Sequence, residues 1–561
     1  MARLRMMPAR AQPANRPAST RDAGRAALLL SLGMLLACEA DADGEIEDDV
    51  EAVPTAETPA EEIAAGGAAT ALPSPPVPPP PPHPLEPWPG LRAPASAGDR
   101  VYSKVRFLWI RPQPRPSRVW LGYLSLGDGV PVKGGDAETA YAGPGHGRGC
   151  QAWYAIEPTG YVCAGDDATL DPEDPDVVAL RSHAADRSDP WPYAYGESLE
   201  VPVYHQLPAP RKQAFREPAL ARHLDAVADA RQVPAADRPE RFAGVDLSPG
   251  REPVPELLLL PPGGRTVQTR VANGSTLAFV RRFQHEDRAF LMTWDRGFVP
   301  ADKVRPYPRS SFSGVALGGV RGGNGVALPL GWVRRDEPAR AYRRDPDGRL
   351  TASGRSWPRL AHIPLTGSEV SQDERRYLET SDGAWVPATA VVVAARTDDV
   401  PLQIRRATEG HRTWLDISIE DGTLVAYENL TPVYATLISP GRGGLPQPGI
   451  PTLDTASTPT GVFSVLAKLV TATMVSGSNS SLVHAEVQFT QNISGPYALH
   501  GAYWHDRWGH KKSGGCVNLA PRDALRVFEW TYPRLPEGWH AMRSITPHAD
   551  WASPTLVYLH R

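Results

Sequence analysis

The residues best suited to covalent chemistry lie in one C-terminal stretch, from His500-Gly501 to Ser513-Gly514-Gly515-Cys516-Val517-Asn518. Cysteine attacks carbon as its thiolate. With an ordinary pKa of about 8.5, little thiolate exists at neutral pH, so a base must stand beside it. Imidazole is the side chain whose proton affinity suits that work, and His500, His505 and His510 are all close in sequence. Gly514 and Gly515 let the main chain run close to an acyl carbon. The N–H groups of Gly514, Gly515 and Cys516 can then face the oxyanion that forms on it. A metal site is the rival duty for the three histidines, but steps of five residues share neither a helix face nor a strand face, and no acidic support is near. No metal and no organic cofactor is expected. The bland reading makes Cys516 a small buried hydrophobe and His500 a core imidazole. The paired glycines ahead of the sulfur argue against it.

A wider pattern surrounds these residues. TWLDISIEDGTLVAYENLTPVYATLIS gives two strands about the turn Glu420-Asp421-Gly422, followed by Thr458-Pro459-Thr460-Gly461 and the strand VHAEVQFT. Together with the His500-to-Cys516 spacing, residues 408–561 resemble the YkuD-type L,D-transpeptidase family. The resemblance implies a β-sandwich catalytic domain with a short helix after the nucleophile, where Pro521 suits the first turn and Asp523 the positive helix end. It makes Cys516 the nucleophile, His500 the proton acceptor and donor, and the Gly501 carbonyl the group that orients His500. Gly514 and Gly515 supply oxyanion N–H groups, and Tyr503, Trp504, Ser513 and Asn518 meet the substrate; Tyr503 and Trp504 can equally well only pack their loop. Family members carry His where this chain has Gly514; if that residue serves through its backbone N–H, glycine preserves the function. The implied reaction is thioester formation on a peptidoglycan stem peptide, resolved by an amine to give a cross-link, with sensitivity to carbapenems. Two rivals remain: an L,D-carboxypeptidase, in which water resolves the thioester, and a non-catalytic peptidoglycan-binding anchor.

The elements that must carry such a site are mainly strands. From Val101, runs such as VYSKVRFLWI and RVWLGYLSLGDGVPV alternate apolar and polar residues between Gly/Pro turns. Residues 100–175 are expected to form an SH3-like β-barrel, 176–255 a connecting segment with some helical periodicity (Leu220 to Val227), and 256–400 one or two further β-rich modules. Cys150 and Cys163 flank the run QAWYAIEPTGYV, whose Glu157-Pro158-Thr159-Gly160 turn folds it into a hairpin, so the two are expected to form a disulfide. The overall class is mainly β: small SH3-like modules followed by the catalytic sandwich.

The N-terminus points to export. Six arginines in residues 1–25 precede the apolar run AALLLSLGMLLA, which is too short to remain as a spanning helix. Leu35-Leu36-Ala37-Cys38 resembles a bacterial lipobox, so residues 1–38 are expected to be a signal peptide with lipidation at Cys38. Multiple acyl chains give a stable membrane anchor. With Cys38 assigned to lipid and Cys150 to Cys163, Cys516 is the one sulfur left to assign. Residues 39–99 are acidic and then proline-rich, with 12 prolines among residues 73–94, and read as an extended tether. The expected location is periplasmic, lipid-anchored to a bacterial membrane, with the outer membrane the expected one. Across 561 residues, 59 Lys+Arg against 63 Asp+Glu give a net charge of −4, without the basic excess of a nucleic-acid binder. Oligomeric state is not legible.

Overall fold

In a computed structural model, residues 98–147, 149–250, 270–318, 325–407, 412–475, 482–543 and 553–561 are described. The signal segment with Cys38, and all but the end of the tether, lie outside the described residues. The chain is mainly β, arranged in four sheets with few helices.

The largest sheet carries the candidate site. Its strands are β1 (Leu108–Ile110), β2 (Gly122–Leu124), β3 (Thr413–Ser418), β4 (Thr423–Glu428), β5 (Thr431–Ser439), β6 (Gly461–Ser464), β7 (Ala467–Val475), β8 (Val483–Ser494), β9 (Tyr497–Gly501), β10 (Val517–Leu519), β11 (Ala541–Arg543) and β12 (Leu556–His560). They are ordered β1-β2-β11-β7-β8-β9-β10-β5-β4-β3-β12-β6, and Val315–Ala316 adds to β5. Most pairs are antiparallel, but β9 runs parallel to β10 and β3 parallel to β12. Strands β3, β4, β5 and β9 are buried along nearly their whole length. Sealing on both faces is why segments such as TLVAY and YATLI read as unbroken apolar runs rather than alternation.

Helix α1 (Pro521–Trp530) follows β10, with Pro at its first turn. Ala524, Val527 and Phe528, spaced i, i+3, i+4, form its buried face, and Phe528 lies 5.5 Å from Phe489 on β8. Buried Lys468 closes the helix C-terminus by donating to the carbonyls of Phe528 and Thr531, groups left over from the helical ladder. At the other end the buried Asp523 carboxyl accepts from Tyr434 Oη at 2.6 Å, from the Thr436 hydroxyl and from Gly314 N–H at 2.9 Å.

The N-terminal region departs from the expected independent barrel. Arg100–Ser103, Gly129–Pro131, Tyr141–Pro144, Cys150–Ala155, Tyr161–Gly165 and Ala168–Thr169 make a six-stranded sheet, and a disulfide joins Cys150 to Cys163 across its central hairpin. However, β1 and β2 leave that unit and extend the largest sheet through β11. Leu108, Ile110 and Leu124 share one apolar core with Leu424, Leu499 and Val517. Alternation shows that a strand exists but not which distant edge it joins. The β2–β11 approach is so close that a β-carbon on Gly122 would lie 2.1 Å from the Ala541 carbonyl oxygen.

The connecting segment is likewise structural. Its Ala194–Ser198 strand lies inside a five-stranded sheet, between Thr276–His285 and Val304–Pro306, so the expected boundary near 255 does not divide the chain. A seven-stranded sheet between Leu330 and Ala394 follows as a second β-rich unit.

Candidate active site

Register brings the key residues together. In the parallel β9–β10 pair Leu499 faces Val517, His500 faces Asn518 and Gly501 faces Leu519. Cys516 precedes β10 by one residue, two before Asn518. With a side-chain period of two, Cys516, Asn518 and His500 share one face of the sheet. Cys516 is 1% exposed and packs in a cluster with Val487, Ala498 and Met474, against which Trp504 lies; its Sγ is 3.7 Å from the Pro496 carbonyl oxygen.

The protonation state of His500 follows from its surroundings. Its Nδ1 is 3.0 Å from the Gly501 carbonyl oxygen. A carbonyl only accepts, so Nδ1 carries the hydrogen and Nε2 keeps its lone pair. Nε2 is buried and meets no hydrogen-bond partner among the described residues. Burial pushes the pKa of His500 down to about 4, against a small opposing effect from the Gly501 carbonyl, so the ring is a free base at neutral pH.

The loop that leads into Cys516 is held from two sides. Thr458 Oγ1 donates to the Gly515 carbonyl at 2.9 Å and accepts from Gly441 N–H at 2.8 Å, so the TPTG turn clamps the loop to residues 440–444. Gly515 has φ +133°, and a β-carbon there would lie 2.8 Å from the Tyr497 ring; this position therefore demands glycine.

Several expected roles change. Ser513 Oγ donates to the Cys516 carbonyl and accepts from Gly515 N–H at 3.1 Å. Ser513 therefore ties the loop internally rather than meeting substrate, and the Gly515 N–H is already engaged. The oxyanion reading then rests on the N–H groups of Gly514 and Cys516. Tyr503 is buried, its side chain engaged within the fold. Its Oη donates to the Ala485 carbonyl at 2.6 Å and lies 2.5 Å from Thr276 Oγ1, and its ring stacks on Tyr195 at 3.7 Å. The partners of Tyr503 are more than 200 residues away or on another strand, which loop composition does not reveal. Cys516 also differs from the expectation of a leftover thiol: among the described residues no cysteine is free, and Cys516 is disulfide-bonded. The sulfur is a nucleophile only in its reduced form.

Trp504 stays at the site, its ring 5.9 Å from His500 and 4.6 Å from His484. The Asn518 amide is 3.1 Å from His505 Nε2, and burial lowers the His505 pKa to about 3. His510 instead approaches the Arg334 carbonyl at 3.0 Å. The sequence reading passed over His484 and Gln488. His484 is kept neutral by burial, its pKa lowered to about 4. Gln488 packs over Gly501, and its buried amide meets no partner. The signal was available in VHAEVQ, where positions 484, 486 and 488 are polar within a deeply buried strand.

Residues 412–547 match the family model of the L,D-transpeptidase catalytic domain, YkuD. Among solved structures the chain is similar to an L,D-transpeptidase from Xylanimonas cellulosilytica, at 20% identity over 27% of this chain and 61% of that one, with a TM-score of 0.17. It is similar to the catalytic domain of the E. faecium L,D-transpeptidase at 19% identity over 27% and 98% of the two chains, TM-score 0.19. An L,D-transpeptidase from Mycobacterium tuberculosis H37Rv gives 15% identity over 38% and 71%, TM-score 0.18. The chain thus spans less than two thirds of the Xylanimonas structure. No curated protein matches.

Proposed function

We propose that the reduced chain is a peptidoglycan L,D-transpeptidase with Cys516 as nucleophile and His500 as its base. The observation that carries this is the His500 imidazole. Its tautomer is set by the Gly501 carbonyl, its Nε2 is buried and unbonded, and it shares a sheet face with Cys516 through the β9–β10 register. In the reaction, Nε2 takes the Cys516 proton and Sγ attacks the carbonyl that precedes a terminal D-amino acid. The N–H groups of Gly514 and Cys516 face the resulting oxyanion. The C–N bond then breaks, the imidazolium returns its proton to the leaving amine, and a thioester remains. An amine from a neighbouring stem attacks that thioester, His500 takes its proton, and the thiol is restored. The basic, apolar N-terminus ending at Cys38 supports export and lipid anchoring to a bacterial membrane, with the proline-rich tether reaching to the wall.

The test uses protein treated with a reductant. Incubation with tetrapeptide-bearing muropeptides is expected to yield cross-linked dimers, and a carbapenem is expected to add one adduct by intact mass. Cys516→Ala is expected to show neither. Trimmed tripeptides without dimers would make the enzyme a carboxypeptidase. An equal carbapenem adduct on Cys516→Ala would remove Cys516 from the mechanism.

A further inference from the structure

The five-stranded sheet holds a cavity that the transpeptidase chemistry does not use. It measures about 250 Å³ and is walled by Trp191, Tyr195, Phe279 and Tyr307, with Arg282, Asp246 and Arg309 among its polar lining. This is just below the roughly 300 Å³ at which small-molecule pockets begin, so it accepts one ring rather than an extended chain. Its charges are matched locally: Arg282 meets Asp246 at 2.9 Å and Arg309 meets Asp189 at 3.0 Å. The lining therefore offers donors and acceptors with little net charge. A phosphate or free carboxylate gains little there. A neutral ring with one apolar face and a polar edge can place the face on the aromatic walls and the edge on the paired guanidinium and carboxylate groups.

The cavity is physically joined to the catalytic loop. Tyr195, one of its walls, stacks at 3.7 Å on Tyr503 and donates from its hydroxyl to the Glu486 carbonyl at 2.9 Å. Tyr307, another wall, lies 5.8 Å from the Tyr503 ring, and Tyr503 meets Trp504 edge-on at 5.0 Å. A group bound here sits one aromatic layer behind the loop that carries Trp504.

We propose that this cavity is a glycan subsite that seats one neutral pyranose ring of the polymer whose peptide stem reaches Cys516. The identity of that polymer rests on the transpeptidase reading; the ring-binding chemistry does not. The accessory sheet then holds the sugar backbone while the catalytic sheet acts on the stem, which gives the Tyr195–Tyr503 junction a functional reason.

Titration calorimetry of the full chain with a peptide-free β-1,4-linked N-acetylglucosamine tetramer tests this. Saturable binding is expected. Ala194→Trp, which adds a ring at an exposed lining position without removing core atoms, is expected to weaken it at least tenfold, and so is Tyr307→Ala. Both variants should still form the thioester with a sugar-free peptide donor. Absence of binding by the wild type, or undiminished binding by both variants, overturns the subsite whatever the activity. Intact sugar binding in a chain that forms no thioester supports the subsite and overturns the transpeptidase reading instead, so the two fail separately.

Discussion

The tautomer and charge of His500 are set by one carbonyl and by burial. The Gly501 oxygen fixes the hydrogen on Nδ1, and removal from water keeps the ring neutral, with a pKa near 4 against an ordinary value of about 6.5. Burial weakens the base that it protects, but a thiolate formed beside the ring stabilises the imidazolium and draws its pKa upward. Two NMR titrations of the His500 ring separate these effects. In Cys516→Ala, protonation is expected near pH 4, with the neutral form dominant above it. In reduced wild type the ring should show the same low-pH step and, in addition, a second shift at higher pH as the Cys516 thiol ionises beside it, a step that Cys516→Ala lacks. Equal titration in both would place the sulfur out of electrostatic reach. Type and spacing single out His500 and Cys516 in the sequence, because the role proposed for each depends on the residue's own chemistry. The roles of Ser513 and Tyr503 depend on the partners they find, the Cys516 carbonyl and Thr276, which no local pattern encodes.

At the scale of elements, α1 and the strand beneath it show how a buried charge is avoided. Lys468 is 1% exposed on β7, and its amine faces the Phe528 and Thr531 carbonyls. A neutral amine has two N–H donors for those two acceptors. Burial pushes the Lys468 pKa well down, aided by Arg534 and opposed by Glu529. Unfolded, the same side chain titrates at about 10.4. Between the depressed folded value and that one, the unfolded state binds the extra proton, so this group makes stability rise with pH until about 10.4. Urea unfolding at pH 7 and pH 9.5 should therefore show a larger gain for wild type than for Lys468→Met, which has no amine to titrate. Parallel shifts in the two proteins would mean that Lys468 stays charged in the fold. Pro521 and the apolar spacing of 524, 527 and 528 announced α1 in the sequence. The lysine beneath its C-terminus did not, since it comes from a strand more than 50 residues earlier.

At the scale of the whole molecule, the sheet that carries the candidate site is completed by chain that lies 300 residues upstream. Strands β1 and β2 extend it past β11, and Arg106 forms a 2.6 Å ion pair with buried Glu486 on β8. Glu486 also accepts from the Thr471 and Thr473 hydroxyls at 2.6 and 2.8 Å. Tyr195 and Thr276, from the five-stranded sheet, close over the same strand and over Tyr503. The bounds of the family match, 412–547, thus do not mark where a stable unit ends. Cutting at 408 would leave the β11 edge unpaired, expose an apolar core surface now covered by Leu108, Ile110 and Leu124, and strip Glu486 of its cation. Unpaired edges beside apolar surface promote association between chains. A fragment of residues 408–561 is therefore expected to aggregate on size-exclusion chromatography, whereas one of residues 98–561 elutes as a single species. A soluble 408–561 fragment that unfolds cooperatively at the temperature of the longer chain would show that β1, β2 and the Arg106–Glu486 pair are dispensable, and that the upstream sheets only rest on the catalytic domain.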